Sequence, residues 1–192
     1  MINCLLLAAG ESRRFGSPKA LARLGTQTVI EHIQHALLQS ACDEIIIVLG
    51  AHADEIRPSI FIHSRIRIVY NKDYNFGQTS SVQAGWKAAN PGTDGIMLLP
   101  VDCPWIASTT MDTLIHHFKK HQPDILIPSY LDKKGHPPLF HQRLREEILA
   151  LPTDKGLNSL FIEHPPQNID MDDPGVVKSF NTLEELEKLK NK

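Results

Sequence analysis

The chain has 192 residues, with 20 Lys+Arg against 22 Asp+Glu and a net charge of -2. This length suits one sizeable α/β core, and the balanced charge offers nucleic acid or an anionic membrane no global attraction, so any phosphate binding has to be local. Cys4, Cys42 and Cys103 are odd in number, widely spaced and set among apolar residues, which argues for reduced thiols against a disulfide framework or a zinc site. The beginning of the chain shows no basic n-region or cleavage site, and no apolar stretch approaches the ~20 residues of a membrane span, so a soluble cytoplasmic protein is expected.

In chain order, Ile2 and the run Cys4 to Leu7 suit a strand buried on both faces, which breaks into Ala8-Ala9-Gly10. Arg13, Arg14 and Lys19 follow, with Gly16 and Pro18 among them. A buried strand ending in a glycine loop with three cations suits a polyphosphate: glycine admits close approach, free N–H groups bond phosphate oxygens, and Arg and Lys neutralise charge. The alternative is a surface turn with solvated charges. The spacing is neither that of a Walker loop nor that of a dinucleotide fingerprint.

Apolar residues at helical spacing predict a helix over Thr28 to Leu38, and the β-branched run Glu44 to Leu49, closed by Gly50, predicts a buried parallel strand. Further strands are expected at Arg67 to Tyr70, Gly95 to Val101 and Asp124 to Pro128, and helices at Ser81 to Ala89, Thr109 to His121 and Leu183 to Leu189. This alternation predicts a mostly parallel sheet with helices on both faces. From about residue 129 the rhythm loosens and prolines punctuate shorter elements.

Asp102 directly follows an apolar strand, so it is expected at the carboxyl edge of the sheet, where it either helps hold Mg²⁺ or caps the turn before Pro104. Thr79, Ser80 and Ser81 stand just ahead of a predicted helix and can cap it, hold an anion or bond a base edge. His117 and His121 are four apart on a helix, a spacing zinc can use, but the basic neighbours His116, Lys119 and Lys120 favour an exposed face. Asp170, Asp172 and Asp173 suit a solvated turn ahead of Pro174-Gly175, and no G-x-S-x-G elbow supports serine-triad chemistry.

The pattern Leu7-Ala8-Ala9-Gly10-x-Ser12-x-Arg14-Phe15-Gly16-x-x-Lys19 resembles the signature loop of the MobA-like nucleotidyltransferases, which move a nucleoside monophosphate from an NTP to a phosphorylated acceptor. Leu99-Pro100-x-Asp102-x-Pro104 is similar to the family's metal-binding segment, with Cys103 where many cytidylyl-transferring relatives have Gln. Gly77-x-x-Ser80-Ser81 matches a segment that contacts the nucleotide. Gly135-His136-Pro137-Pro138-Leu139-Phe140 resembles the Gly-x-Pro-x-Leu-Phe stretch of molybdopterin cytidylyltransferases, and Thr153-Asp154-Lys155-Gly156 their Gly-Asp-x-Gly. Phe180-Asn181-Thr182-Leu183-Glu184-Glu185-Leu186 is similar to the family's C-terminal motif, whose first residue can complete the metal site. Here that residue is Asn181, and helix capping by Asn181 or Thr182 is an equal alternative.

The resemblance implies a Rossmann-like three-layer sandwich of the nucleotide-diphospho-sugar transferase type, one domain over 1–192. Its nucleotide-binding part would span about 1–128, and an acceptor-binding part with a closing helix about 129–192. It implies Arg14, Lys19 and Asp102 as the catalytic set. Leu7 to Gly10, Ser12, Arg14, Gly16, Lys19, Gly77, Ser80 and Ser81 would meet the nucleotide. Gly135, His136, Pro137 and Asp154 would face the acceptor, and Asp102 with Asn181 would hold Mg²⁺. Ala9 and Gly135-x-Pro137 tilt the expectation toward CTP and the molybdopterin cofactor. Guanylyl transfer and transfer to a sugar or polyol phosphate are the alternatives. A non-catalytic assembly factor that hands a cofactor to a molybdoenzyme or its chaperone is an alternative of another class.

Overall fold

The computed structural model describes residues 1–190. Its centre is β1 (Ile2–Ala8), in which all seven residues are buried. Such a strand needs a neighbour on each edge and a helix layer on each face. The edges go to β4 (Glu44–Leu49), with Cys4 opposite Ile45, and β6 (Gly95–Pro100), with Cys4 opposite Met97. Side chains alternate across the sheet. Cys4, Leu6 and Ala8 pack on one face with α1 (Val29–Gln39), α4 (Ser108–His121) and α6 (Leu183–Lys190). Leu5, Leu7 and Ala9 pack on the other with α3 (Gln78–Ala88) and α5 (Arg145–Ala150). Each fully buried Leu or Ile contributes roughly 1.5–3 kcal/mol, so this double-faced strand is the thermodynamic centre of the fold.

The remaining elements are a short hairpin of β2 (Arg23–Leu24) and β3 (Gln27–Thr28), the single-turn α2 (Ala53–Ile56), β5 (Ile66–Tyr70), β7 (Ile125–Tyr130), β8 (Lys133–Lys134), β9 (Leu139–His141) and β10 (Gln167–Asp170). The main sheet is ordered β10-β7-β9-β6-β1-β4-β5, with β8 paired to β7. Neighbours pair in parallel except at β9, which runs against both β6 and β7, and at β8 against β7. The sheet is thus mostly parallel and flanked by helices, as the alternating elements predict.

From β1 the chain winds outward to β4 and β5, then crosses to β6 on the other side of β1. This reversal leaves a crevice beyond the carboxyl ends of β1 and β6, where ligands bind in open α/β sheets. Gly50 tightens it: a Cβ there would lie 2.5 Å from Ala9 O and 2.7 Å from Tyr74 Cβ, so a side chain would force the loops after β1 and β4 apart. Among the described residues no helix is long and apolar enough to cross a membrane.

Two boundaries differ from expectation. α3 begins at Gln78, immediately after Gly77 at φ 97°, so Thr79, Ser80 and Ser81 form its first turns instead of preceding it. The residues 139–141 form a strand between β6 and β7, a role hidden in a three-residue run next to two prolines.

Candidate active site

The loop after β1 leaves a run of backbone N–H groups open. Gly10 would have open space around an added Cβ. The N–H groups of residues 10–14 make no hydrogen bond to other described residues. Ser12 adopts a left-handed φ of 53° and organises the turn: its carbonyl accepts from Phe15 N at 2.9 Å and Gly16 N at 3.1 Å, while its hydroxyl accepts from Lys19 N at 3.1 Å. Gly16, at φ 82°, allows the return. A run of free N–H donors on a curved backbone is an anion-binding arrangement.

Lys19 Nζ projects from this loop to Asp102 Oδ2 and Asn181 Oδ1, at 3.0 Å from each. Arg14 donates to the same Asn181 Oδ1 at 2.8 Å. Asn181 is free for this because Thr182 and Glu185 cap α6 reciprocally. The Thr182 hydroxyl accepts from Glu185 N at 3.2 Å, and the Glu185 carboxylate accepts from Thr182 N at 3.2 Å. Thr182, not Asn181, therefore supplies the side-chain cap of α6. The preceding Phe180 is fully buried, edge-on to Phe15 at 5.6 Å and Trp105 at 6.0 Å, with Lys19 Nζ 5.6 Å from its ring centre. Phe180 N also donates to Asp102 O at 3.1 Å, so the chain's last segment is fastened directly to the strand-end aspartate.

Two oxygens of different residues, one charged, converge on one cation, the Lys19 ammonium. An all-oxygen donor set with one carboxylate suits a hard divalent ion that completes its shell with water and phosphate, so Asp102 and Asn181 fit Mg²⁺. Burial, with the Asp102 carboxylate beside it, pushes the Cys103 thiol far up, so it stays protonated and donates weakly to Asp102 Oδ1 at 3.6 Å. Burial lowers the His136 pKa against the opposing pull of Asp102, and its Nδ1 is buried with no hydrogen-bond partner among the described residues.

A cavity of about 490 Å³ joins these parts. Leu7 to Gly10, Ser12, Arg14, Lys19, Gly77, Ser81, Asp102 and Asn181 all line it. Gly16 shapes the loop without lining the cavity. Ser80 faces inward, its hydroxyl 2.8 Å from Asp73 O and 2.7 Å from Gly77 O and accepting from Asn71 at 2.9 Å. Gly135, His136, Pro137 and Asp154 lie outside the lining. Gly135 serves close packing: a Cβ there would sit 2.2 Å from Val176 O. The walls also include Glu11, Ile56, Tyr74, Asn75 and Gln78, which sequence reasoning missed. Gln78 adjoins Gly77 and Asn75 lies two residues before it, so closeness to that glycine was the one signal that could have found them.

His117 and His121 lie with ring centres 4.3 Å apart and their planes tilted by 33°, and His117 meets Gln167 at 2.9 Å. Among the described residues the His/carboxylate group with metal-ligand spacing is instead Glu147, Glu163 and His164, all within 4.8 Å. Of the acidic turn, Asp173 is structural, accepting from Ala107 N at 3.1 Å, Thr110 Oγ1 at 2.7 Å and Gly175 N at 2.7 Å, and so capping α4 from outside.

Residues 4–168 match the MobA-like NTP transferase domain. The chain is similar to nicotine blue oxidoreductase of Paenarthrobacter nicotinovorans, at 29% identity over 96% of this chain and 94% of the relative. It is also similar to molybdenum cofactor cytidylyltransferase of Escherichia coli, at 23% identity over 96% and 93%. Rv0371c of Mycobacterium tuberculosis, solved in complex with manganese, superposes with a TM-score of 0.82 at 25% identity, covering 100% of this chain and 98% of that one. The match over residues 4–168, with the phosphate-type loop and strand-end aspartate in place, makes this chain a nucleotidyltransferase of the MobA-like NTP transferase family.

Proposed function

We propose that the chain transfers a cytidylyl group from CTP to the phosphate of the molybdopterin cofactor, with Mg²⁺, and releases pyrophosphate. The observation that carries this reading is the convergence of Lys19 Nζ, Asp102 Oδ2 and Asn181 Oδ1 at 3.0 Å beside the open N–H loop. An acceptor phosphate oxygen attacks the α-phosphorus in line, the bond from that phosphorus to the bridging oxygen breaks, and pyrophosphate departs with the electron pair. This chain's part is positioning and charge neutralisation. The N–H groups of residues 10–14 hold phosphate oxygens, while Arg14 and Lys19 neutralise the triphosphate and the charge growing on the leaving group. Mg²⁺ held by Asp102 and Asn181 would supply further neutralisation of phosphate charge. Gly77 and Ser81 meet the nucleotide, and His136, Pro137 and Asp154 face the acceptor. A cytoplasmic setting goes with this reading, with the product passing to a molybdoenzyme or its chaperone.

The test is Mg²⁺-dependent pyrophosphate release with CTP, GTP, ATP and UTP, each with and without molybdopterin. Release with CTP only when molybdopterin is present is the expected result. Release with GTP alone would replace the base. Silence with all four, alongside nucleotide binding, would overturn this acceptor and move the search to sugar and polyol phosphates. A second reading, oxidoreduction of a small organic substrate, has the 29% identity to the nicotine blue oxidoreductase behind it. A spectroscopic assay of nicotine blue turnover with supplied electron donors and acceptors tests it.

A further inference from the structure

We infer that His52 is a positioning residue that pins the phosphate loop through a doubly protonated ring, making polyphosphate binding depend on pH. His52 lies in the connection from β4 to α2, opposite the loop after β1. Its Nδ1 is 2.8 Å from Glu55 Oε1, and its Nε2 is 3.2 Å from the backbone carbonyl of Glu11. Both partners are acceptors: a carboxylate and a carbonyl have no proton to give. Satisfying both at once therefore requires two N–H groups, which only the imidazolium has. A neutral ring keeps one bond and loses the other.

The consequence falls on the loop. A trans peptide points its C=O and N–H in opposite directions, so holding the Glu11 carbonyl on His52 turns the Ser12 N–H away from His52. That N–H is one of the unpaired donors of residues 10–14. Releasing the carbonyl frees the peptide plane to rotate and disperses the donor array. The charged groups facing the ring are Glu55, on α2, and Glu11, on the loop, whose carboxylate is itself paired with Arg13 at 2.7 Å. The Glu55 hydrogen bond, opposed by burial and aided by the Glu11 carbonyl, raises the ring's pKa above its ordinary value. The pin is therefore complete below about pH 6.5 and is lost as pH rises through the raised value.

This inference rests on the loop being a phosphate seat, and its test separates the two ideas. In ligand-free, isotope-labelled protein, the His52 ring, the Glu11 carbonyl carbon and the Ser12 amide nitrogen are followed by NMR from about pH 6 to about pH 9. One shared midpoint is expected, displaced to lower pH in Glu55→Gln and absent from Glu11 and Ser12 in His52→Gln. Binding of inorganic tripolyphosphate is then measured over the same range for wild type and His52→Gln. The ratio of the two affinities cancels the ligand's own titration and is expected to fall about tenfold as the pin is lost. Glu11 and Ser12 resonances that ignore the His52 titration, or parallel affinity profiles in the two proteins, would overturn the inference. Absence of tripolyphosphate binding by both proteins would overturn the phosphate-seat reading instead, while the resonances still decide whether the pin exists.

Discussion

Asp102 and Asn181 meet the same ammonium group but differ in charge, and this sets different expectations for their removal. Asp102→Ala deletes the one carboxylate at the crossing point of the site, so nucleotidyl transfer is expected to fall at least about a hundredfold while the melting temperature is kept. A folded variant that retained most of its pyrophosphate release would remove Asp102 from the metal assignment. If the proposed metal site holds, Asn181→Ala loses an uncharged ligand and is expected to raise the Mg²⁺ concentration for half-maximal rate roughly tenfold, with Asn181→Asp lowering it below wild type. A metal titration of the two variants checks both. Arg14, Lys19 and Asp102, which line one cavity, stood out in the sequence by charge and by their place after buried strands, and as a set through the resemblance. The inward turn of Ser80 was not, since a hydroxyl in a first helical turn is drawn equally to ligand and backbone. His52 was not legible either, because its partner is a carbonyl 41 residues away that has no sequence signature.

Continuous apolar runs announced β1, β4, β6 and β7, because burial on both faces leaves no polar alternation to obscure them. The short strands β8, β9 and β10 have two to four residues and little periodicity, so their pairing is decided by tertiary contact alone. β9 shows the dependence: it is held between β6 and β7 at the end of a segment that passes Gly135 against Val176. Gly135→Ala places a methyl group 2.2 Å from a backbone oxygen and is expected to destabilise by roughly 1–3 kcal/mol. Urea unfolding would read this, and an unchanged midpoint would mean that the turn relaxes freely. At α6, Thr182→Ala removes half of the capping box and is expected to cost about 1 kcal/mol. Because Asn181 is the residue just outside that cap, the same change should also raise the Mg²⁺ requirement.

At the scale of the molecule, the end of the sheet opposite the cavity is drawn together by His164. Its Nδ1 is 2.9 Å from Asp124, just before β7, and its Nε2 is 3.0 Å from Glu147 on α5. The Asp124 hydrogen bond, opposed by burial and aided by Glu147, raises its pKa. The stabilisation is thus present in full below about pH 6.5 and disappears as pH climbs through the raised value. His164→Ala is expected to cost about 1 kcal/mol or less at pH 6, with the gap to wild type closing at higher pH and higher salt. Thermal melts across pH would show it, and a gap that widens with pH would contradict the ion-pair account. The layered fold was legible from alternating elements because each strand and helix signals its own burial. The meeting of residues 10–19, 102 and 181 was expected only through the family resemblance, because composition and spacing do not show that three distant segments share a site until the sheet order is known.

The contact between Lys19 and Asp102 has one more consequence, in the language of linked equilibria. The lysine is the aspartate's resident counterion, 3.0 Å away and mostly shielded from solvent. A triphosphate that draws the ammonium toward itself leaves the carboxylate without a partner and so raises its affinity for an incoming cation. By reciprocity, a cation that displaces the lysine releases it to the triphosphate. On the proposed function, nucleotide and divalent ion would then be each other's activators, with Lys19 the exchanged charge that couples them. Lys19→Met is expected to weaken nucleotide binding and, in a metal titration, to bring the divalent-ion affinities with and without nucleotide closer together.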